Sequence, residues 1–323
     1  MPTVRKVLVA LLVAGITGVV ALALLFHQAM RRAEARVAAP LSHVMATQHG
    51  ALEYSEAGRG APLLMIHGTG GGFDQGLAFA QPLTAMGYRV IAPSRFGYLR
   101  SGFPADHSAA AQADALVELL DALGIEKAAI AGGSAGAIPA LVFAARHPDR
   151  TAALLLLVPA LPEPGAPPPE PWSPFQAKVA LAVVKSDFLF WLGITFAPDL
   201  MTRTLLATAP ALVKAAAPQE RARVSAILQG ILPVSVRASG FMNDARETNT
   251  PVDFEYRGVS APTLAVSLQD DAFGTARGAR HAAAQIAGAE LVIYPSGGHV
   301  WVGRNAELFA AIGSFLQRHG YPP

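Results

Sequence analysis

The sequence predicts an α/β fold, a mostly parallel β-sheet covered by helices on both faces. The first observation is that short, continuously apolar stretches alternate with helical stretches over residues 40–160 and again over 259–323. Strands that are apolar along their whole length are buried on both faces, which is typical of parallel sheets. The second observation is that this alternation stops over residues 161–258. We therefore predict a core of two chain segments with an inserted helical cap between them.

The order of the elements follows from the same pattern. An antiparallel pair of strands is expected over residues 43–56. The parallel strands are expected near residues 63–67, 88–92, 127–132, 152–158, 262–268 and 290–294. The helices are expected near residues 75–86, 107–123, 135–146, 275–287 and 303–319. A chain of 323 residues is long enough for one such domain with an insertion.

Residues 132–136, Gly-Gly-Ser-Ala-Gly, join an apolar strand to a helical stretch. This G-x-S-x-G pattern is typical of a sharp strand-to-helix turn with an exposed serine at its apex. Glycines are needed two positions either side because the turn leaves no room for side chains. The free N–H groups at the helix start favour developing negative charge. The pattern therefore predicts that Ser134 is a nucleophile, although an ordinary turn with a capping serine would also fit these five residues.

A serine hydroxyl needs a general base and a group that orients this base. His299 lies in a glycine-rich loop that follows the predicted strand 290–294, and is the candidate base. Asp270 and Asp271 follow the predicted strand 262–268. A carboxylate at such a strand end can accept the Nδ1 proton of the histidine and stabilise the imidazolium. Both aspartates are candidates at this point.

A turn rich in glycine follows the apolar strand near residues 63–67 and has the sequence His-Gly-Thr-Gly-Gly-Gly over residues 67–72. Turns of this type supply backbone N–H groups to the oxyanion of an acyl-transfer intermediate. We expect the N–H of Thr69 to be one donor. The second donor is expected to be the N–H of Ala135, the residue after the predicted nucleophile.

These motifs resemble the α/β-hydrolase fold family, in its lidded esterase and C–C hydrolase form. The resemblance extends from about His43 to the C-terminus and includes residues 88–97 and 144–150. It implies a catalytic triad of serine, acid and histidine. The family's acid commonly stands three residues after the position that Leu268 occupies here, so the resemblance favours Asp271 over Asp270.

The activity that the resemblance implies is hydrolysis of a small or medium apolar ester through an acyl-enzyme, without a cofactor. Two alternatives use the same triad, hydrolysis of a C–C bond and a cofactor-free haloperoxidase-type reaction. The C–C hydrolases usually have tryptophan directly after the base, whereas here Val300 precedes Trp301. A membrane-tethered ligand-binding protein without activity is a third alternative.

The N-terminal segment, residues 1–36, is predicted to be a membrane anchor or signal segment. Residues 7–26 are apolar and free of charge, which matches the hydrocarbon thickness of a bilayer. A cleaved signal peptide would have a shorter apolar core and a clear exit of small residues. We therefore expect an uncleaved helix with the catalytic domain outside the cytoplasmic membrane. The alternative is a secreted or periplasmic protein after cleavage.

Composition narrows the classes of partner. There is no cysteine, which excludes a disulfide framework, a thiolate zinc site and a cysteine nucleophile. The histidines have no metal-ligand spacing, so no metal is expected. Residues 1–36 hold five of the 25 basic side chains and one of the 23 acidic ones. The rest of the chain is therefore slightly acidic, with no basic stripe for nucleic acid, and we expect a small-molecule substrate. The oligomeric state is not predicted.

Overall fold

The computed structural model describes residues 2–162, 173–250 and 254–323. Its centre is a β-sheet of eight strands: β1 His43–Thr47, β2 Gly50–Ala57, β3 Pro62–Ile66, β4 Arg89–Pro93, β5 Ala128–Gly133, β6 Thr151–Leu157, β7 Thr263–Leu268 and β8 Glu290–Tyr294. Their order across the sheet is β1-β2-β4-β3-β5-β6-β7-β8. Strand β2 is antiparallel to β1 and to β4, and all other neighbours are parallel. The predicted fold class and the antiparallel opening pair are confirmed.

An N-terminal helix, α1 Pro2–Arg36, precedes the sheet. Helices of the core flank the sheet: α2 Phe73–Ala85, α3 Ala109–Ala122, α4 Ala137–Arg146, then α11 Thr275–Gln285 and α12 Asn305–Arg318. Between β6 and β7 the described residues form six further helices, which we call the inserted helices: α5 Pro174–Lys185, α6 Asp187–Phe196, α7 Pro198–Leu205, α8 Pro210–Ala215, α9 Pro218–Gly230 and α10 Ala238–Glu247. They fall within the segment predicted to be a cap; residues 163–172 and 251–253 of that segment lie outside the described residues.

The central strands of the sheet are buried on both faces, as their apolar sequences require. Successive side chains of a strand point to opposite faces. On β3, Leu64 packs into a cluster with α3, α4 and α11, whereas Leu63 packs into a second cluster with α2 and α12. Both residues are fully buried. This two-sided core fixes the carboxyl ends of the parallel strands at one edge of the sheet, where the site lies.

Local sequence signals explain where several helices begin. The hydroxyl of Ser108 accepts the N–H of Ala111 at the start of α3. Ser173 and Gln176 form a capping box at the start of α5. Four of the inserted helices, α5, α7, α8 and α9, have proline at the first helical position. Proline is favoured there because its missing N–H would have no partner within the helix.

The helix α1 is 35 residues long and is long and apolar enough to cross a membrane. Its C-terminal half packs against the inserted helices through one stripe of side chains: Leu22, Phe26, Ala29, Met30 and Ala33. The spacing of this stripe follows the helical period, so one face of α1 is covered and the rest is exposed.

Candidate active site

The turn after β5 holds Ser134 in a left-handed backbone conformation, with φ +53°. Such a conformation is unfavourable for a residue with a side chain and persists only where its surroundings enforce it. A Cβ on Gly132 would lie 2.3 Å from the carbonyl oxygen of Gly136, and one on Gly136 would lie 2.4 Å from that of His67. The glycines of the motif are therefore required by close backbone contacts, as the sequence predicted.

His299 lies in the loop after β8 and joins the serine to an aspartate. Its Nε2 is 2.9 Å from Oγ of Ser134, and its Nδ1 is 2.7 Å from Oδ2 of Asp271. The imidazole is buried, and the ring of Phe273 meets it edge-on with 4.9 Å between centroids. Three side chains separated by 165 and 28 residues along the chain thus form one continuous hydrogen-bonded line.

Asp271 is held by its own turn as well as by the histidine. The N–H of Phe273 donates to Oδ1 at 2.9 Å, and the hydroxyl of Thr275 donates to Oδ2. Burial opposes ionisation of this carboxyl, but His299 and these hydrogen bonds outweigh it and lower the pKa of Asp271 below its usual value. An ionised carboxylate at this place can stabilise positive charge on the imidazole.

Asp270 has a different set of partners. Its two carboxylate oxygens accept the N–H groups of Gly297 and Gly298, at 3.1 and 2.9 Å. The structure therefore separates the two aspartates that the sequence left open. Asp271 contacts the imidazole, while Asp270 contacts the backbone of the loop that carries the imidazole.

The loop after β3, which carries Thr69, passes close to the serine. A Cβ on Gly68 would lie only 3.0 Å from Cβ of Ser134, so the loop passes directly over the serine. Within the described part of the chain, the N–H of Thr69 donates no hydrogen bond. Three neighbouring N–H groups of the loop do donate: that of Gly68 to Gln75, that of Gly70 to Tyr98, and that of Gly71 to the carbonyl oxygen of Gly68. The N–H of Thr69, the predicted donor, is thus free of other partners among the described residues. Ala135 follows Ser134 at the start of the turn and is buried.

His67 fixes the start of this loop. Its Nε2 accepts the N–H of Arg95 at 2.9 Å, so the proton is on Nδ1, which lies 2.7 Å from the carbonyl oxygen of Gly68 and donates to it. Burial, followed by the charge of Arg95, lowers the pKa of His67 well below its usual value. The ring is therefore neutral and serves to orient the loop.

Two buried ion pairs were not predicted from the sequence. One joins the core to α10, and the other joins the core to the turn that precedes α10. Arg95 forms two hydrogen bonds with the carboxylate of Asp244 on α10, and the hydroxyl of Tyr98 donates to the same carboxylate. The Tyr98 oxygen also accepts the N–H of Gly70 in the loop. A chain of contacts therefore leads from an inserted helix to the loop beside Ser134.

The second pair joins Arg237 to Asp74 on α2. Arg237 is fully buried and also donates to the carbonyl oxygen of Gly71. The partners are 163 residues apart in one pair and 149 in the other. No local motif marks these residues, because their pairing depends only on how the inserted helices dock.

Among residues 2–162, 173–250 and 254–323 there is no group of three or more histidine, aspartate and glutamate side chains arranged to hold a metal ion. The site thus consists of a serine, a histidine, a carboxylate and nearby backbone N–H groups.

This fold and site define a class of protein. A family model described as the alpha/beta hydrolase fold matches residues 61–302, and the chain belongs to this family. The resemblance drawn from the sequence is confirmed.

Individual relatives match less completely. A 2-hydroxymuconate semialdehyde hydrolase of Pseudomonas sp. (strain CF600) is 41% identical over 106 residues, which is 32% of this chain and 38% of that protein. The chain thus matches well under half the length of this curated relative. An alpha/beta hydrolase fold protein from Nakamurella multipartita is 27% identical, with a TM-score of 0.68 over 86% of this chain and 99% of that one. A bacterial membrane phospholipase A shares the fold at 24% identity and a TM-score of 0.63, over 97% of each chain.

Proposed function

We propose that the protein is a serine hydrolase that cleaves an apolar ester-type substrate through an acyl-enzyme. The observation that carries the proposal is the line of hydrogen bonds from Ser134 through His299 to Asp271. This arrangement lets a neutral imidazole take the serine proton at Nε2 while a carboxylate holds the proton on Nδ1.

The reaction proceeds in two stages. Oγ of Ser134 attacks the ester carbonyl as His299 removes its proton, and the tetrahedral oxyanion accepts hydrogen bonds from the N–H groups of Thr69 and Ala135. His299 then protonates the leaving alcohol, which gives the acyl-enzyme. Water attacks the acyl group with His299 again as the base, and Ser134 is released with its proton. Each oxyanion donor contributes about 3–4 kcal/mol to lowering the barrier.

Apolar side chains surround the loop over residues 67–72, which carries Thr69 and which we call the oxyanion loop, and they favour an apolar substrate. Ile231 and Phe241 from the inserted segment each lie 3.3 Å from where a Cβ of Gly70 would be. Phe273 contacts the imidazole and is half exposed. Ligand sites lined by apolar side chains with a few polar groups bind apolar molecules. We infer that the inserted helices act as a cap that supplies this lining.

Hydrolysis of a C–C bond is the second candidate, favoured by the identity to the 2-hydroxymuconate semialdehyde hydrolase. The residues that follow His299, the candidate base, support C–C hydrolysis less than ester hydrolysis. Trp301 is 2% exposed, donates its indole N–H to Asn305 and packs against Phe79 in the core. The position directly after His299 is held by a buried valine, Val300. The indole therefore does not line the site.

We also propose that residues 7–26 of α1 anchor the chain in a membrane, with the catalytic part outside the cytoplasm. The length and apolar character of α1 support the anchor. Fractionation of cells that express the full chain, with protease added to intact and permeabilised cells, tests both statements.

The test of activity uses the full chain in detergent with a fluorophosphonate probe and a short p-nitrophenyl ester. Ser134→Ala should abolish labelling and turnover, whereas Ser225→Ala, at an exposed serine of α9, should leave both unchanged. Equal labelling of Ser134→Ala would refute the proposed nucleophile. Parent protein that takes no label would indicate a binding protein. Turnover of a vinylogous 1,5-diketone in preference to the ester would favour C–C hydrolysis.

A further inference from the structure

We propose that the exposed apolar side chains of α6 and α7 contact the lipid bilayer beside α1, so that the inserted helices rest on the membrane. This inference rests on the proposal that α1 spans the membrane. We call these side chains the lipid-facing surface and define it as Phe188, Leu189, Phe196 and Leu200. Their exposed fractions are 37%, 41%, 65% and 57%.

The surface lies directly beside α1. The ring of Phe26 on α1 meets the ring of Phe188 edge-on, with 5.2 Å between centroids, and the ring of Trp191 at 5.4 Å. Trp191 in turn contacts Phe196 at 6.1 Å. One row of aromatic rings thus runs from α1 to the most exposed side chain of the surface.

The position of Phe26 along α1 sets the depth of this row. An α-helix rises 1.5 Å per residue, so residues 7–26 cover about 30 Å, the thickness of the hydrocarbon region. Phe26 is the last residue of this apolar segment, and Leu22, which also packs against the inserted helices, lies one turn inside it. Side chains in contact with Phe26 therefore lie at the boundary between hydrocarbon and head groups.

Arg36 holds the inserted helices at this height. Its guanidinium donates to the carbonyl oxygens of Gln229 and Leu232, at 2.6 and 3.0 Å. Together with the apolar stripe on α1, these bonds attach the anchor to the inserted segment along more than two helical turns. The lipid-facing surface then cannot move away from the bilayer independently of α1.

Two helices that contact α6, namely α1 and α5, carry basic side chains, while Asp187 and Asp199 beside the surface are bound to Ser235 and Lys214. Arg31 and Arg32 on α1 and Lys178 and Lys185 on α5 are exposed. Basic side chains next to a membrane span are attracted to anionic lipids. Large apolar side chains exposed together on two consecutive helices indicate an interaction surface. The occupant that fits both properties and the neighbouring span is the bilayer itself.

The same segment reaches the active site. Ile231 and Phe241 contact the oxyanion loop, and Thr208 lies against Gly298 beside the candidate base. The group of inserted helices that carries the lipid-facing surface thus also covers the candidate active site. The substrate class that fits this arrangement is an ester with a long acyl chain that resides in the bilayer, and this deepens the proposed function.

Because the chain has no cysteine, single cysteines can be introduced directly for spin labelling. The full chain is reconstituted in vesicles of phosphatidylethanolamine and phosphatidylglycerol, with Phe196→Cys and Leu189→Cys as test positions. Val13→Cys, within α1, is the membrane control, and Glu126→Cys, exposed just before β5 at the opposite edge of the sheet, is the aqueous control. Power saturation compares the access of oxygen and of a nickel chelate to each label.

We expect the labels at positions 196 and 189 to prefer oxygen over the nickel chelate, as at position 13 and unlike position 126. The proposal would be overturned if the nickel chelate reached the labels at positions 196 and 189 as readily as the label at position 126, while the label at position 13 was embedded in the membrane. An aqueous label at position 13 would overturn it through failure of the anchor. Spin–spin broadening at 196 in detergent and vesicles would show that a second copy covers the surface, which also refutes it.

Activity gives an independent readout. Phe196→Asp should lower hydrolysis of a long-chain ester embedded in vesicles at least tenfold and leave hydrolysis of a soluble short ester unchanged. Leu291→Asp, at an exposed leucine of β8, is the matched control and should change neither. Equal rates of Phe196→Asp and parent on vesicles would contradict the proposal. Parent protein inactive on both esters would instead refute the hydrolase function.

Discussion

The two neighbouring aspartates allow a sharp test of the proposed mechanism, because the same substitution acts through different contacts. We consider Asp271→Asn and Asp270→Asn in the full chain. Each removes one negative charge and keeps the shape of the side chain. The first changes the partner of the imidazole, and the second changes the partner of the loop backbone.

In Asp271→Asn only one of the two positions keeps an acceptor oxygen. The N–H of Phe273 can only donate, so it holds the amide oxygen at the Oδ1 position, and the hydroxyl of Thr275 turns its proton to Ser267. The NH₂ group of the amide then faces Nδ1 of the imidazole, which has to become an acceptor. The imidazole proton moves to Nε2, where it blocks removal of the Ser134 proton. Loss of the correct tautomer in a serine triad lowers kcat about 10⁴-fold, which corresponds to about 5 kcal/mol of barrier.

In Asp270→Asn the amide has one oxygen for two N–H groups, those of Gly297 and Gly298. One of these donors then faces an NH₂ group and loses its partner. An unsatisfied donor of this kind costs about 1–3 kcal/mol of stability. We expect a lower melting temperature and a smaller loss of kcat than in Asp271→Asn, since the tautomer of His299 is unchanged.

The assay is p-nitrophenyl ester hydrolysis in detergent, with the melting temperature measured on the same samples. The expected pattern is a large loss of kcat in Asp271→Asn and a mainly thermal effect in Asp270→Asn. The reasoning would be refuted if Asp270→Asn lost more activity than Asp271→Asn while its melting temperature matched that of the parent.

Three further predictions follow from buried contacts. Gly136→Ala should lower the free energy of unfolding by about 3 kcal/mol, measured by denaturation, because a Cβ meets two backbone carbonyl oxygens at the end of β3 within 2.5 Å. Gly230→Ala, in open space, should be neutral or stabilising. Arg237→Met should lower stability by about 3–5 kcal/mol because it leaves a carboxylate on α2 unpaired, whereas Arg304→Met, in an exposed pair, should cost less than about 1 kcal/mol. Because the pKa of Asp271 is lower in the folded chain than in the unfolded chain, its ionised carboxylate stabilises the fold at pH values above the ordinary aspartate pKa. This contribution is lost as the pH falls through the lowered pKa, so the urea midpoints of the parent and of Asp271→Asn should converge below about pH 4. A constant difference between the two midpoints would contradict this.

Much of the fold followed from local sequence because burial determines it. The predicted strand near residues 262–268 is β7 Thr263–Leu268, fully buried, and the predicted strand 290–294 is β8. Strand β7 is recognisable because a strand covered on both faces must be apolar along its length, whereas β8 lies at the edge of the sheet and is only partly buried. The helix predicted from residue 135 begins at Ala137, because a short 3-10 turn over residues 134–136 comes first.

The residue types of the site were also present in the sequence, each at the end of a predicted strand. What the sequence did not contain was the direction of the side chains. Asp270 and Asp271 are neighbours, and only the path of the turn decides which one reaches His299 and which one binds the loop backbone. The free N–H of Thr69 likewise depends on the partners that the rest of its loop finds.

The sequence by itself determined the class of fold, the order of the strands along the chain and the chemical groups available for catalysis, because these depend on patterns within short segments. Only the tertiary structure decided how Arg237 and Asp244 of the inserted segment hold the loop after β3, and that α1 packs against the inserted helices. Such contacts join residues more than a hundred positions apart. Their partners are selected by how complete helices dock, which no local pattern encodes.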